Sequence, residues 1–404
     1  MRLLPALALL LAALPAEAQP RPRARDLGIN LGGTPGAHNA ITDVAGVEVG
    51  HATILRGEGR LEVGRGPVRT GVTAIWPRGR GHMEGVFSAW HTLNGNGEMT
   101  GTTWVEESGL YNGPLAITNT HSVGVVRDAL VEMVVRYAPD TPFGLPLVAE
   151  TYDGLLSDIN GFHVGRAHAL AALDSARPGP VAEGNVGGGT GMICHQFKGG
   201  IGTSSRVLGA DDGGHTVGVL VQCNYGSRRR FAVAGVPVGQ EITDHQLCRA
   251  GDREPTRPWL RRARTCAEDG SAAWPAEVPE GLGSIIVIVA TDAPLLPHQL
   301  KRIAERVPLA IGRMGGLGED SSGDIFFAFS TQPVRPGEDG RAPVTMLDNP
   351  RMNPLFEATV AATEEAILNA MLAAETMTGA DGIRVHALPA DRLVAAMRKY
   401  GRMP

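Results

Sequence analysis

Residues Ile285-Ile286-Val287-Ile288-Val289 form an unbroken apolar, β-branched run, and a chain that contains one must bury a strand there. The run opens on Gly283-Ser284 and continues through Ala290-Thr291. The serine therefore stands at the mouth of a buried strand. The glycine before it lets the backbone adopt conformations closed to other residues. Ahead of the pair, residues 250–281 are rich in Arg, Pro, Glu and Ala and read as a flexible loop. A chain cut before Ser284 would carry a hydroxyl and a free α-amine on one residue, a recognised way to activate a nucleophile. The plainer reading is that Ser284 only begins a core strand, and these residues alone favour it.

The rest of the 404-residue chain supplies the core that such a strand needs. It is 43% hydrophobic and 20% charged, ordinary for a globular protein of this length. Asn119-Thr120 before Ser122–Val126 reads as a helix start, and apolar positions at helical spacing continue through Leu130, Met133 and Val134. Helices are also expected over His163–Ser175, Leu296–Val307, Asp391–Lys399 and from Pro354 to about Met377, the last capped by Gly379. Strands are expected at Pro146–Thr151, Thr216–Gln222 and Ile325–Phe329, with a dense turn signal at Asn94-Gly95-Asn96-Gly97. Strands and long helices mix without a regular βαβ rhythm. This favours a layered α+β architecture over a doubly wound sheet.

Arg2, the apolar run Leu3–Leu14 and Ala16-Glu17-Ala18 have the form of a secretory signal peptide, with removal expected after Ala18. The run is short for a membrane span of ~20 residues. Once it is removed, no membrane attachment is expected. A net charge of −5 and a pI near 6.2 give no electrostatic argument for nucleic acid. Of four cysteines, Cys248 and Cys266 flank the Arg/Pro-rich stretch, where export would permit a disulfide. Cys194 and Cys223 read as small buried residues. No C-x-x-C pair or histidine spacing suggests a metal site.

Several polar residues sit where strands end. In Ser321-Ser322-Gly323-Asp324, Ser322 lies two positions before Asp324 and on the same side of an extended chain. A hydroxyl beside a carboxylate can relay or orient a proton. A loop that uses Ser and Asp for backbone hydrogen bonds would look the same. Asn224 ends an apolar strand, and its amide could donate to a developing oxyanion. Strand-end asparagines are more often turn formers. Glu150 could bind a substrate ammonium and Tyr152 could donate from its phenol, although neither stands out alone. The loop Gly187-Gly188-Gly189-Thr190-Gly191 lacks the ending of a P-loop and reads as close backbone approach.

These segments, taken together and in order, resemble the DmpA-type aminopeptidases, which include L-aminopeptidase/D-esterases and β-peptidyl aminopeptidases. The likeness covers nearly all of the chain after the signal. It is carried by Glu150-Thr151-Tyr152-Asp153-Gly154, Gly187–Met192, Lys198–Arg206, Gln222–Gly226, Gly283–Val287, Ala290–Leu295 and Ser321–Asp324. The resemblance implies a four-layer αββα sandwich related to ornithine acetyltransferase. It implies a precursor that cuts itself between Gly283 and Ser284 into an α chain, 19–283, and a β chain, 284–404. Ser284 would be the nucleophile of both reactions and Asn224 the oxyanion donor. Ser322 and Asp324 would assist the nucleophile, Glu150 would hold the substrate amine, and Tyr152 would be a neighbouring phenol. No metal or organic cofactor is implied, and the processed units would form homo-oligomers. One departure is that residues 250–281 are longer and more basic than the family pattern.

The resulting expectation is an exported, self-processing aminopeptidase or amidase acting on short peptides or amino-acid amides. An acyltransferase of the same fold and a non-catalytic exported binding protein are the alternatives. Side-chain preference, stereochemistry and α- versus β-amino-acid choice are not encoded in any motif here.

Overall fold

The computed structural model describes residues 21–251, 254–261, 263–267 and 283–403. The expected signal peptide, 1–18, and residues 252, 253, 262 and 268–281 of the expected loop lie outside them. Ten strands build the two main sheets: β1 (Glu48–Arg56), β2 (Val68–Trp76), β3 (Val86–Gly95), β4 (Leu110–Tyr111), β5 (Leu115–Asn119), β6 (Val148–Thr151), β7 (Gly200–Val207), β8 (Thr216–Asn224), β9 (Ser284–Thr291) and β10 (Gly323–Pro333). One sheet has the order β1-β2-β5-β6 and the other β4-β3-β10-β9-β8-β7. Six helices matter for the layers: α1 (Val123–Tyr137), α2 (Arg166–Asp174), α3 (Pro297–Ala304), α4 (Val307–Arg313), α5 (Asn353–Ala373) and α6 (Ala390–Lys399).

The apolar run is β9, at the centre of the six-stranded sheet and parallel to β10. Its residues alternate between two cores. Ile286, Ile288 and Ala290 face the four-stranded sheet, where they join Ile75, Leu115, Ile117, Ile325 and Phe327. Ile285, Val287 and Val289 face the other way, against Leu300 of α3, Ile311 of α4, Ala366 and Ala370 of α5, and Leu393 of α6. Both faces are covered, so the strand has no polar side and the sequence shows no alternation. Each buried Ile or Val contributes roughly 1.5–3 kcal/mol. On the far face of the four-stranded sheet, Val126, Leu130 and Met133 of α1 and Ala169 and Leu173 of α2 pack on Val72, Ala74 and Trp76. The layers are therefore α-β-β-α, as expected.

Three local expectations are corrected. Cys194 and Cys223 are joined, with S–S 1.95 Å, instead of being separate buried thiols. They lie 29 residues apart; Cys194 sits in the short hairpin Ile193–Lys198, and Cys223 lies opposite Gly200, just beyond that hairpin. The long helix stops at Ala373, where Ala374 turns extended, and Met377–Thr378 then pairs with Ile383–Val385. Gly379 therefore caps nothing: a Cβ there would meet the Leu156 carbonyl oxygen at 2.2 Å, so close packing requires the glycine. The described part of the expected flexible loop is docked. Cys248 and Cys266 are bridged, S–S 1.99 Å, and Arg257 donates to Asp381 (2.9 Å) and to the carbonyls of Leu155 and Ala380 (3.1 Å each). Leu260 and Ala263 add apolar contact with Leu156, Met377 and Val385.

The glycine loop follows the close-approach reading. A Cβ on Gly188 would lie 2.1 Å from Gln222 Oε1, and one on Gly189 would lie 2.4 Å from the Ile201 nitrogen. Among the described residues, no helix is long and apolar enough to cross a membrane.

Candidate active site

The register of the central strands decides which groups meet. Asn224, the last residue of β8, lies directly opposite Ser284, the first residue of β9. Directly paired residues of antiparallel strands project to the same face of a sheet. Here that is the face toward the four-stranded sheet, because Leu220 and Ile286 on the same parity belong to the inter-sheet core. On the other side of β9, Ser284 pairs with Gly323 of β10, and the Gly323 N–H donates to Ser284 Oγ at 3.1 Å. The serine hydroxyl thus sits at a strand end between an amide side chain and a peptide N–H. Ser284 is only 5% exposed.

Ser322 and Asp324 form a pair. Ser322 Oγ donates to Asp324 Oδ1 at 2.6 Å, and the Ile285 N–H donates to the same oxygen at 3.2 Å. Asp324 therefore grips the backbone one residue beyond Ser284. Among the described residues, no hydrogen bond joins Ser322 or Asp324 to Ser284 Oγ. The pair is held by the turn that the sequence marks with Asn94-Gly95-Asn96-Gly97. Asn94 Oδ1 accepts from the Asp324 N–H (2.7 Å), and Asn96 Nδ2 donates to the Ser321 carbonyl (2.9 Å). Contact is close enough that a Cβ on Gly323 would lie 2.6 Å from Gly97 Cα.

Gly97 also joins this corner to the second sheet. A Cβ on it would be 3.1 Å from Gly323 Cα and 3.3 Å from Glu150 Oε1. Glu150, near the end of β6, is buried, with Oε1 accepting from the Glu98 N–H at 3.0 Å and Oε2 from the Thr120 hydroxyl. One glycine thus separates the buried carboxylate from the peptide that touches the serine hydroxyl. Tyr152, two residues on, is half-exposed. Its carbonyl accepts from Asn224 Nδ2 at 3.0 Å, while its ring lies over Gly154. Asn224 is held on its other atom too, with Oδ1 accepting from the Ile193 N–H at 2.7 Å.

Gly283 is required for a reason other than the one read from sequence. Its φ is not in the left-handed region. A Cβ there would come within 1.9 Å of the Asn224 carbonyl oxygen, so room, not conformational freedom, excludes other residues.

A family model for peptidase family S58 matches residues 39–385. The chain belongs to peptidase family S58. It is 52% identical over 384 residues to a beta-peptidyl aminopeptidase of Sphingosinicella microcystinivorans, covering 95% of this chain and 93% of that protein. A beta-peptidyl aminopeptidase of Sphingosinicella xenopeptidilytica is 46% identical over 402 residues, covering 98% and 96%. Among solved structures, a Burkholderia sp. beta-aminopeptidase matches with TM-score 0.80 and 48% identity, covering 95% of this chain and all of that one. The L-aminopeptidase D-Ala-esterase/amidase of Ochrobactrum anthropi matches with TM-score 0.81 and 45% identity over the same shares. It is described as a prototype of the serine aminopeptidases and a variant of the Ntn hydrolase fold. The family's αββα layering is thus the layering seen here.

In this S58 peptidase, burial dominates the electrostatics of the site. It pushes the Asp324 carboxyl up to about 6, against the hydrogen bonds from Ser322 and Ile285, which favour the ionised form. It also raises Glu150 above the usual carboxylate range, opposed by Thr120 and the Glu98 N–H. The Tyr152 phenol is raised by burial, with Arg257 pulling the other way. Sequence reasoning missed Asn94, Glu98, Thr120, Ile193 and the Gly323 N–H. Only the asparagine-glycine turn carried a visible signal, and it indicated a bend, not a clasp.

Proposed function

We propose that this chain is an exported, self-processing serine aminopeptidase or amidase. It would release N-terminal amino acids from short peptides, amides or esters through an acyl-enzyme on Ser284. The observation that carries the reading is the corner itself. A buried serine hydroxyl faces Asn224 and the Gly323 N–H, one glycine away from a buried carboxylate that can hold an amine.

In the precursor, Ser284 Oγ attacks the Gly283 carbonyl. The Gly283–Ser284 amide bond breaks as the ester forms, and the nitrogen leaves as the α-amine. Water then opens the ester, freeing a Gly283 carboxylate and the Ser284 hydroxyl. In turnover the same hydroxyl attacks the substrate carbonyl, the leaving amine or alcohol takes a proton, and water releases the acid. Asn224 and a backbone N–H would stabilise each oxyanion, a contribution of ~3 kcal/mol per donor. Glu150 would fix the substrate's ammonium. The names of the relatives favour N-terminal β-amino acids as the first substrates to try. Export is supported by the signal-like first 18 residues and by two disulfides, which persist in oxidising compartments.

Intact-mass measurement of purified protein tests the reading, together with hydrolysis of aminoacyl amides with free and acetylated amines. Two fragments meeting between Gly283 and Ser284, and turnover of the free amines only, are expected. A single uncut chain that is fully active would refute self-processing. Acyl transfer to an added amine in preference to water would indicate the acyltransferase alternative.

The proton of Ser284 has two acceptors on this reading, the new α-amine and the Ser322–Asp324 pair. With Asp324 near 6, kcat is expected to rise with pH through about 6, as the carboxylate ionises and can accept the proton. Asp324→Asn should remove that limb. A limb at ~7.7–8.0 that survives Asp324→Asn would assign the role to the α-amine.

A further inference from the structure

Lys198 is fully buried, and among the described residues it pairs with no carboxylate. Its surroundings are backbone. Nζ donates to the carbonyls of Met192 (2.8 Å) and Gly199 (2.8 Å) and lies 3.4 Å from that of Gly189. An ammonium has three N–H groups, and three carbonyl oxygens surround it. Burying an uncompensated cation is costly, and burial depresses the affinity of this amine for its proton. A lysine kept in such a place has to be judged by what it holds.

What it holds leads directly to Asn224. The Met192 carbonyl belongs to the same peptide unit as the Ile193 N–H, which donates to Asn224 Oδ1 at 2.7 Å. We infer that Lys198 is a positioning residue for the Asn224 amide, acting through the Met192–Ile193 peptide. The inference rests on the proposed role of Asn224 as an oxyanion donor. A charge-assisted bond to the carbonyl fixes the peptide plane and polarises its N–H. That N–H can only donate, so it selects Oδ1 as the atom facing it. Nδ2 is then turned the other way, with one hydrogen on the Tyr152 carbonyl and a second N–H to offer the proposed oxyanion. If the amide turned over, Oδ1 would face the developing oxyanion and repel it. The Gly199 N–H also reaches the Met192 carbonyl, at 2.9 Å, so removing the lysine does not leave that oxygen bare.

The test uses the full-length protein with Lys198→Met, Asn224→Ala and both together. Self-cleavage is followed on denaturing gels over days, and kcat and KM are measured per processed chain. Lys198→Met is expected to lower both rates about tenfold with KM within about twofold, against the 10²–10³ typical of losing an oxyanion donor. In the Asn224→Ala background, Lys198→Met should cost no more than about twofold further, because groups acting in one chain are not additive. Should Lys198→Met fail to fold, Lys198→Gln keeps a donor toward Met192 and is expected to show a smaller loss with the same non-additivity. Equal, additive losses in the two backgrounds, or a KM that changes along with kcat, would overturn the inference and leave Asn224 as donor. Wild-type rates in Asn224→Ala itself would instead refute the reading of Asn224.

Discussion

Ser284→Ala is expected to yield one uncut chain and no measurable turnover. The hydroxyl at 284 is the proposed attacking group in both the internal cut and catalysis, and the neighbouring Ser322 hydroxyl is not placed to replace it. Ser322 is committed to Asp324 Oδ1 at 2.6 Å, and its position in the chain puts it two residues ahead of Asp324 instead of at the mouth of β9. Loss of a serine nucleophile costs on the order of 10⁶ in kcat in serine proteases. The fold should survive. Within the described residues the Ser284 side chain makes one hydrogen bond, from the Gly323 N–H, and an unsatisfied donor costs about 1–3 kcal/mol. Intact mass, a denaturing gel and thermal melting check the three parts of this expectation. Normal cleavage and hydrolysis in Ser284→Ala would return Ser284 to the role of a plain core residue.

The layers were legible because their cause is local. A strand covered on both faces has to be apolar throughout, and Ile285–Val289 is. A helix with one buried side has to place Val126, Leu130 and Met133 on it, and α1 does. The site was legible only in part, because its residues act through partners far away in sequence. Asn224 could be recognised as a strand-end amide, but its orientation depends on Ile193 and Tyr152, 31 and 72 positions away. The Asn94–Gly97 signal predicts a turn from backbone preference. Nothing in it says that the Asn94 and Asn96 side chains grip residues beyond 320. Lys198 follows a phenylalanine and precedes two glycines, and a lysine in that setting is ordinarily taken to be exposed. At Gly283 the glycine answers to steric room beside the Asn224 carbonyl and not to backbone freedom, and such room is a property of the neighbouring strand that the residue itself does not reveal.

Glu150→Gln is expected to separate the two reactions proposed for Ser284. The proposed internal cut involves no substrate amine, so self-cleavage should proceed at close to the wild-type rate. Hydrolysis of free-amine substrates should collapse. Removing one partner of a buried, hydrogen-bonded charge pair costs ~2–5 kcal/mol, which puts the fall in kcat/KM between about 30-fold and several thousand-fold. Glutamine keeps the shape of the side chain and can still accept from the Glu98 N–H, so the loss reports charge and not packing. N-acetylated amides bring no ammonium. They are expected to be poor substrates of the parent enzyme and no poorer in the variant. The pH dependence follows from the raised affinity of Glu150 for a proton. As pH falls, Glu150 takes up its proton earlier than an ordinary carboxylate and loses the charge that attracts the amine. KM for free-amine substrates should therefore rise on the acid side, starting above the usual carboxylate range, and Glu150→Gln should flatten that rise. A variant that kept the acid-side rise, or that lost self-cleavage along with hydrolysis, would show that Glu150 supports the architecture of the corner and does not bind the amine.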